Sequence, residues 1–421
     1  MWKKDTLDNG VRVVTEEVPY AHSAVIGIWV RTGSRNEDET NHGISHFIEH
    51  LLFKGTSKRT AKQIAEELET VGGSLNAFTT KEYTCYYAKV LAEHLDLAID
   101  LLSDMFFNST FLEEDIEKEK NVVLEEIKMY EDSPDELIHD LFAQTVWQNH
   151  PLGRTILGTT SSISNLTRPK IIDYYLQKYN PHNVVVAVAG KIKHEEVVDK
   201  LQGFFANWYK KVGDSKQHGP VPQSAVVLNP KDTEQVQICL GAPGLPQGDE
   251  NSYALIVLNN ILGGGLSSRL FQEIREERGL AYSIYSYHTA YFDSGLFTIY
   301  AGTSPNKVRE VIELTLKEIA KLKKNGITAE ELHRTKEQIK GNLLLSMESV
   351  SNRMSRLGRT ELCYGRIISA EEIVQKTGEV TAELVYDLCN MLFKAEKFSL
   401  TAIGPFQENF DFYHILEQIG I

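Results

Sequence analysis

His42-Gly43-Ile44-Ser45-His46-Phe47-Ile48-Glu49-His50-Leu51-Leu52-Phe53 reads as a short amphipathic helix. Wound at about 100° per residue, it gathers Ile44, Phe47, Ile48, Leu51 and Leu52 on one broad apolar face. His46, Glu49 and His50 fall opposite, within about 100° of one another. Histidines four apart on a helix can both reach one cation. Glu49, one step before His50, can then approach a water on that cation without binding the metal itself. The plain alternative is a solvated face with two chance histidines. Solvated faces collect Lys, Glu and Arg, however, and this one carries neither Lys nor Arg.

A cation that keeps one position open for water needs a third protein ligand. The acid-rich stretch from Glu113 to Glu131 offers candidates. Glu119 and Glu126 are seven apart and share a helix face. Spacing alone does not separate Glu125 from Glu126, and most acids in this stretch read as a solvated surface. The order His-x-x-Glu-His is also the reverse of the His-Glu-x-x-His signature of zinc peptidases.

Around these segments the chain reads as one unit written twice. Val11-Arg12-Val13-Val14 and Ala24 to Val30 are β-branched runs, and an alternating stretch from Leu75 to Val90 follows Gly72-Gly73. Helical periodicity covers 43–54, 60–71, much of 92–148, 167–178 and 194–207, around a strand from Asn183 to Ala189. Residues 210–224 lose all periodicity and collect Gly, Pro and polar residues, as a linker does. The order then returns: a strand at Val236–Leu240, helices near 252–262 and 267–277, an alternating stretch from Leu280 to Tyr300, long helices through 305–365, and a strand at Phe398–Ile403. The expected fold is α+β, in two homologous halves, each a mainly antiparallel sheet with helices packed on one face. The boundaries are 1–210 for an N-terminal domain holding the histidine motif, 211–225 for the linker, and 226–421 for the C-terminal homologous domain.

Composition narrows the function. A chain of 421 residues is long enough for two or three domains. Lys plus Arg is 44 against 58 Asp plus Glu, a formal charge of −14. Such a field disfavours nucleic acid and anionic membranes and welcomes peptides with basic residues. No apolar run approaches a membrane span, and the first residues carry no signal-peptide core. Cys85, Cys239, Cys363 and Cys389 form no Cys-x-x-Cys pair, so reduced thiols and a cytoplasmic setting are expected.

His46-Phe47-Ile48-Glu49-His50, with Glu126 76 residues beyond His50, resembles the inverzincin superfamily of pitrilysin, insulin-degrading enzyme and mitochondrial processing peptidase. Gly43, Leu51-Leu52-Phe53-Lys54-Gly55-Thr56, Gly72-Gly73-Ser74-Leu75-Asn76-Ala77-Phe78-Thr79 and Leu124-Glu125-Glu126-Ile127 match the family pattern too. The likeness covers essentially the whole chain, and its length resembles the processing-peptidase branch, whose subunits pair. The resemblance implies Zn2+ held by His46, His50 and Glu126, Glu49 as the base that activates the zinc-bound water, and Glu119 as a supporting acid behind the ligands. It also implies that Asn76, Ala77 and Phe78 receive an extended peptide as an added strand.

In the second half, Gly263-Gly264-Gly265 precedes Arg275 and, seven on, Tyr282. The triple glycine lacks the Gly-Lys-Ser/Thr ending of a phosphate loop and suits a helix end. Taken alone, Arg275 among Glu273, Glu276 and Glu277 is a surface ion pair, and Tyr282 a strand aromatic. The resemblance instead makes the glycines a substrate-touching loop, and Arg275 and Tyr282 substrate-holding, oxyanion-stabilising groups. It further implies a closed chamber between paired chains, with Arg275 and Tyr282 supplied across a homodimer interface. The expected activity is therefore a zinc-dependent endopeptidase acting on unfolded peptides. The rival reading is a non-catalytic or heterodimer-dependent structural subunit, a kind that typically loses part of the zinc set; here that set is complete.

Overall fold

The computed structural model describes residues 2–206, 208, 218–406 and 411–420. Eleven strands form two sheets. The first holds β1 (Trp2–Thr6), β2 (Arg12–Glu17), β3 (Ser23–Val30), β4 (Ser74–Thr79), β5 (Thr84–Leu91) and β6 (Val184–Gly190), in the order β1-β2-β6-β3-β5-β4. The second holds β7 (Val226–Pro230), β8 (Val236–Pro243), β9 (Ala281–Ala290), β10 (Gly295–Thr303) and β11 (Ser399–Gly404), in the order β7-β11-β8-β10-β9. Each sheet is antiparallel except for one parallel pair, β2–β6 and β11–β7. The α+β expectation and the repeated order of elements are borne out. The two alternating stretches are hairpins, β4–β5 and β9–β10, each at a sheet edge.

The main helical layer of the first sheet contains α1 (Ile44–Leu51), α2 (Ala61–Glu69) and α3 (Leu95–Asn108), with α4 (Glu113–Glu131) after them; α5 (Pro134–Val146), next along the chain, packs with the second sheet. A capping box opens α2: the Thr60 hydroxyl accepts from the Gln63 amide, and the Gln63 side chain accepts from that of Thr60. Ile44, Phe47, Ile48 and Leu51 of α1 enter one core with Ile26, Ile28, Tyr86, Ala88 and the buried side of α3. The apolar stripe read from the sequence is the face that α1 buries.

The compact units do not follow chain order throughout. One comprises Met1–Met129, Thr155–Gln217 and Leu345–Ile368; the other comprises Tyr130–Arg154, His218–Leu344 and Ser369–Ile421. Each half thus lends a segment to the unit built mostly by the other. In the first unit the loan is the helix Val350–Tyr364, whose Met354, Leu357 and Leu362 pack beneath Val25, Trp29, Val185 and Ala187. In the second unit α5 does the same, setting Ile138, Phe142 and Val146 against Cys239, Tyr300 and Ile403. The helices expected on one face of each sheet are therefore joined by one helix on the other. This two-sided cover explains why every residue of β6, Val-Val-Val-Ala-Val-Ala-Gly, is buried. Gly358 allows the closest approach: a Cβ there would lie 2.1 Å from Trp29 Nε1.

Of the expected linker, 211–217 lies outside the described residues, and 218–225 runs without helix or strand into β7. The helix expected near 267–277 differs in winding. Residues Phe271–Glu276 form a π-helical turn, with the Glu277 amide donating to the Gln272 carbonyl five residues back at 2.9 Å. Among the described residues no helix is long and apolar enough to cross a membrane, and all four cysteines are free thiols.

Candidate metal centre and its surroundings

Gly43 starts α1 in the left-handed region at φ 92°, which L side chains rarely adopt; a Cβ there would also meet the Leu157 carbonyl at 2.7 Å. From this fixed start the helix presents His46 and His50 one turn apart. Their Nε2 atoms are 3.2 Å apart. Glu126, on α4, directs Oε1 to 3.7 Å from His46 Nε2 and Oε2 to 3.6 Å from His50 Nε2. One ligand atom from each of these three residues lies within 4.8 Å of the others. The structure thus separates Glu126 from Glu125, whose carboxylate turns to Lys128 at 2.6 Å.

Two imidazole lone pairs and a carboxylate facing one another repel unless positive charge sits among them. Donors about 2.0–2.1 Å from a tetrahedral zinc lie roughly 3.3 Å apart, close to the separation of the two Nε2 atoms. Burial, with His50 beside it, pushes His46 down to about 3, so its lone pair stays available near neutral pH. The Nδ1 of His46 is buried without a hydrogen-bond partner. For His50, burial works downward, yet the hydrogen bond to Glu119 and the charges of Glu119, Glu126 and Glu49 leave it raised. The surroundings of His50 favour positive charge. The residues present fit a zinc ion.

Behind the histidines, Glu119 is buried, with Oε1 2.8 Å from His50 Nδ1 and Oε2 2.6 Å from Lys54 Nζ. Burial would raise its carboxyl, but the hydrogen bonds from His50 and Lys54 prevail and hold it below the usual range. An ionised Glu119 keeps the His50 proton on Nδ1 and turns Nε2 towards Glu126.

Glu49 lies on the same helix, between the two histidines in sequence. Burial raises its carboxyl, while a hydrogen bond from Thr79 and the nearby His50 act in the opposite sense. The Thr79 hydroxyl donates to Glu49 Oε2 and also lies 3.2 Å from the Thr84 hydroxyl. Sequence reasoning included Thr79 in the alternating stretch and in the family-like segment but gave it no role. The available signal was alternation, which puts Thr79 on the same side of β4 as Leu75 and Ala77, both packed against the core that α1 joins.

Asn76, Ala77 and Phe78 sit on β4, the last strand of its sheet. The Ala77 amide donates to the Asn76 side chain at 2.8 Å. Phe78 is less available than expected for a substrate contact: its ring packs against Trp29, Tyr83 and Tyr87 at 5.7, 6.3 and 6.2 Å between centroids.

In the second unit, Gly263 closes the helix Ser252–Gly263. With Gly264, Gly265, Leu266, Phe271, Arg275 and Tyr285 it lines a cleft of about 490 Å3. The Arg275 guanidinium carbon lies 4.8 Å from the Phe271 ring centre and 5.3 Å from that of Tyr282. Glu273 pairs with Arg278 instead, at 2.7 Å, and among the described residues no carboxylate pairs with Arg275. The surface ion pair that local composition suggested is absent. Arg275 is a cation held between two rings at the wall of a cleft, and Tyr282 is 75% exposed. Among the described residues the only metal-suited cluster is His46, His50 and Glu126.

Comparison with known proteins adds sequence and fold relatives. Residues 12–160 match the family described as Insulinase (Peptidase family M16), and residues 165–339 match the Peptidase M16 inactive domain. The zinc protease YmxG of Bacillus subtilis, itself described as uncharacterized, is 47% identical over 96% of this chain and 98% of its own. A crystal structure described as a peptidase M16 inactive domain from Pseudomonas fluorescens superposes with a TM-score of 0.90 at 22% identity, covering 98% of this chain and all of that one (100%). A protease from Helicobacter pylori superposes with a TM-score of 0.88 at 24% identity, covering 96% of this chain and 99% of that one.

Proposed function

This chain belongs to the insulinase family, peptidase family M16, and from that premise we propose that it is a zinc-dependent endopeptidase that cuts unfolded peptides. The observation that carries the reading is the meeting of His46, His50 and Glu126 from two separate helices, with Glu49 held beside them by Thr79.

His46, His50 and Glu126 hold the ion. Zinc, when bound, supplies Lewis acidity, which lowers the pKa of water towards about 7 and polarises a carbonyl. Glu49 accepts the proton of the attacking water and delivers it to the departing amine; its raised carboxyl suits a group that must both take and return a proton. Glu119 and Lys54 hold His50 in one tautomer. Arg275 and Tyr282 bind the peptide and stabilise the negative charge that grows on the carbonyl oxygen. The outer edge of β4 takes the peptide as an added strand, so recognition is mainly by backbone.

The processing-peptidase likeness supports a homodimer enclosing a chamber, with Arg275 and Tyr282 provided by the partner. The acidic surface supports a preference for peptides with basic residues. The deciding experiment measures bound zinc and peptide cleavage on purified protein, with and without chelator, for wild type and Glu49→Gln. Wild type should bind one zinc per chain and cleave. The variant should retain zinc and lose about 10²–10⁴-fold in kcat/KM. Normal cleavage by Glu49→Gln would remove Glu49 from the role of base.

A further inference from the structure

Glu37 is a carboxylate with 4% exposure, and neither the sequence motif nor the chemistry above uses it. Its Oε2 accepts from the Gly43 amide at 2.7 Å and its Oε1 from the Ser45 amide at 2.8 Å. Both donors belong to the first turn of α1, whose third residue is His46. A glutamate from outside the helix thus clamps the two amides that set where the histidine-bearing helix begins.

We propose that Glu37 is a positioning residue for the metal, holding the start of α1 and cancelling the positive end of its dipole. The inference rests on the zinc-peptidase reading. Two arguments carry it. The first is geometric. The apolar side of α1 is fixed by the core, but its start, Gly43, is the most conformationally free residue type and sits three residues before His46. Two hydrogen bonds to one rigid carboxylate remove that freedom next to His46. The second is electrostatic. The N-terminus of a helix carries roughly half a positive charge, which opposes a dication held from its first turn. A buried anion on those same amides offsets that opposition.

The position is held at a cost, as expected of a residue kept for function rather than for the fold. Burial pushes the Glu37 carboxyl up to about 7, despite the Gly43 and Ser45 amides, the Ser45 hydroxyl and the charge of Lys81, all of which favour the ion. Asp38 and Tyr174 also share this surrounding. A carboxyl with a raised native pKa stabilises the fold fully at low pH, and that contribution is lost as pH rises through 7. At pH 8 the ionised carboxylate bears the full cost of its burial, which offsets the one backbone hydrogen bond that Gln, with a single acceptor oxygen, gives up.

The test compares wild type, Glu37→Gln and Glu37→Asp at pH 8. Zinc affinity is read by chelator competition, metal geometry by the visible bands of the cobalt(II)-loaded protein, and stability by thermal unfolding of metal-free chains. The Gln chain should unfold within about 3 °C of wild type. It should bind zinc about 10-fold more weakly, with altered cobalt bands. The Asp chain, which keeps the charge but shortens the reach, should fall between. Wild-type affinity and bands in the Gln chain would overturn the proposal. Should that chain not fold, undiminished affinity in the Asp chain would do the same. If wild type itself binds no zinc, the zinc-peptidase reading fails first; if wild type binds and the variants match it, only the role of Glu37 fails.

Discussion

At the scale of single residues, the centre depends on which protons are excluded. His46 is held neutral by burial, down to about 3, whereas an exposed histidine titrates near 6.5. The unfolded chain therefore binds a proton at His46 between those values that the folded chain refuses. Stability of the metal-free protein must then rise with pH across this interval. Acidifying from about 6.5 towards 3 should cost on the order of 4 kcal/mol from this group, and His46→Phe should flatten the slope of stability against pH measured by urea unfolding. Glu119 is the matching case on the acid side. Glu119→Gln removes the charge that orients His50, so zinc affinity should fall about 10–100-fold with the fold intact, by chelator competition and circular dichroism. That His46, Glu49 and His50 share one direction was legible in local order because an eight-residue helix converts spacing directly into direction. For Thr79, alternation gave the side of β4 it faces but not its partner Glu49, 30 residues away; for Glu37, no helix or strand period marks the Gly43 and Ser45 amides it accepts from.

Secondary-structure elements supply what side chains alone cannot, which is registration between distant stretches. The seven-residue spacing of Glu119 and Glu126 predicted a shared face on α4, and both do turn towards the α1 histidines. The choice between Glu125 and Glu126 needed the packing of α4, whose buried Ile116, Val123 and Ile127 fix its rotation. The helix Val350–Tyr364 is the other informative element. Its sequence shows amphipathicity but not which sheet receives it. Gly358 sits where a Cβ would strike the rigid Trp29 indole at 2.1 Å. Gly358→Ala should therefore destabilise by about 1–3 kcal/mol even though alanine favours helices, seen as a lower urea midpoint with an unchanged slope. Arg275 shows the reverse lesson. The carboxylates next to it in sequence suggested an ion pair, yet a π-helical turn sets the guanidinium between Phe271 and Tyr282.

For the whole molecule, the duplication is unequal in chemistry. One unit carries the metal-suited cluster, and the other carries the glycine-lined cleft with Arg275 and Tyr282. If paired chains complete one another, a mixture can work where neither parent does. Glu49→Gln chains mixed with Arg275→Ala chains should regain peptide cleavage through hybrid dimers. Failure to regain it, with exchange verified by mass spectrometry, would place Arg275 and Tyr282 with the zinc of their own chain.

The sequence by itself determined the class of fold, the repeated order of elements and the common direction of His46, Glu49 and His50, because periodicity and short spacings translate directly into faces of helices and strands. Tertiary structure alone decided which segments are exchanged between units, that Glu126 rather than Glu125 faces the histidines, and that Thr79 and Glu37 hydrogen-bond to α1 and its start. Those outcomes depend on contacts that no helix or strand period encodes, where burial and close packing, not local preference, set the geometry.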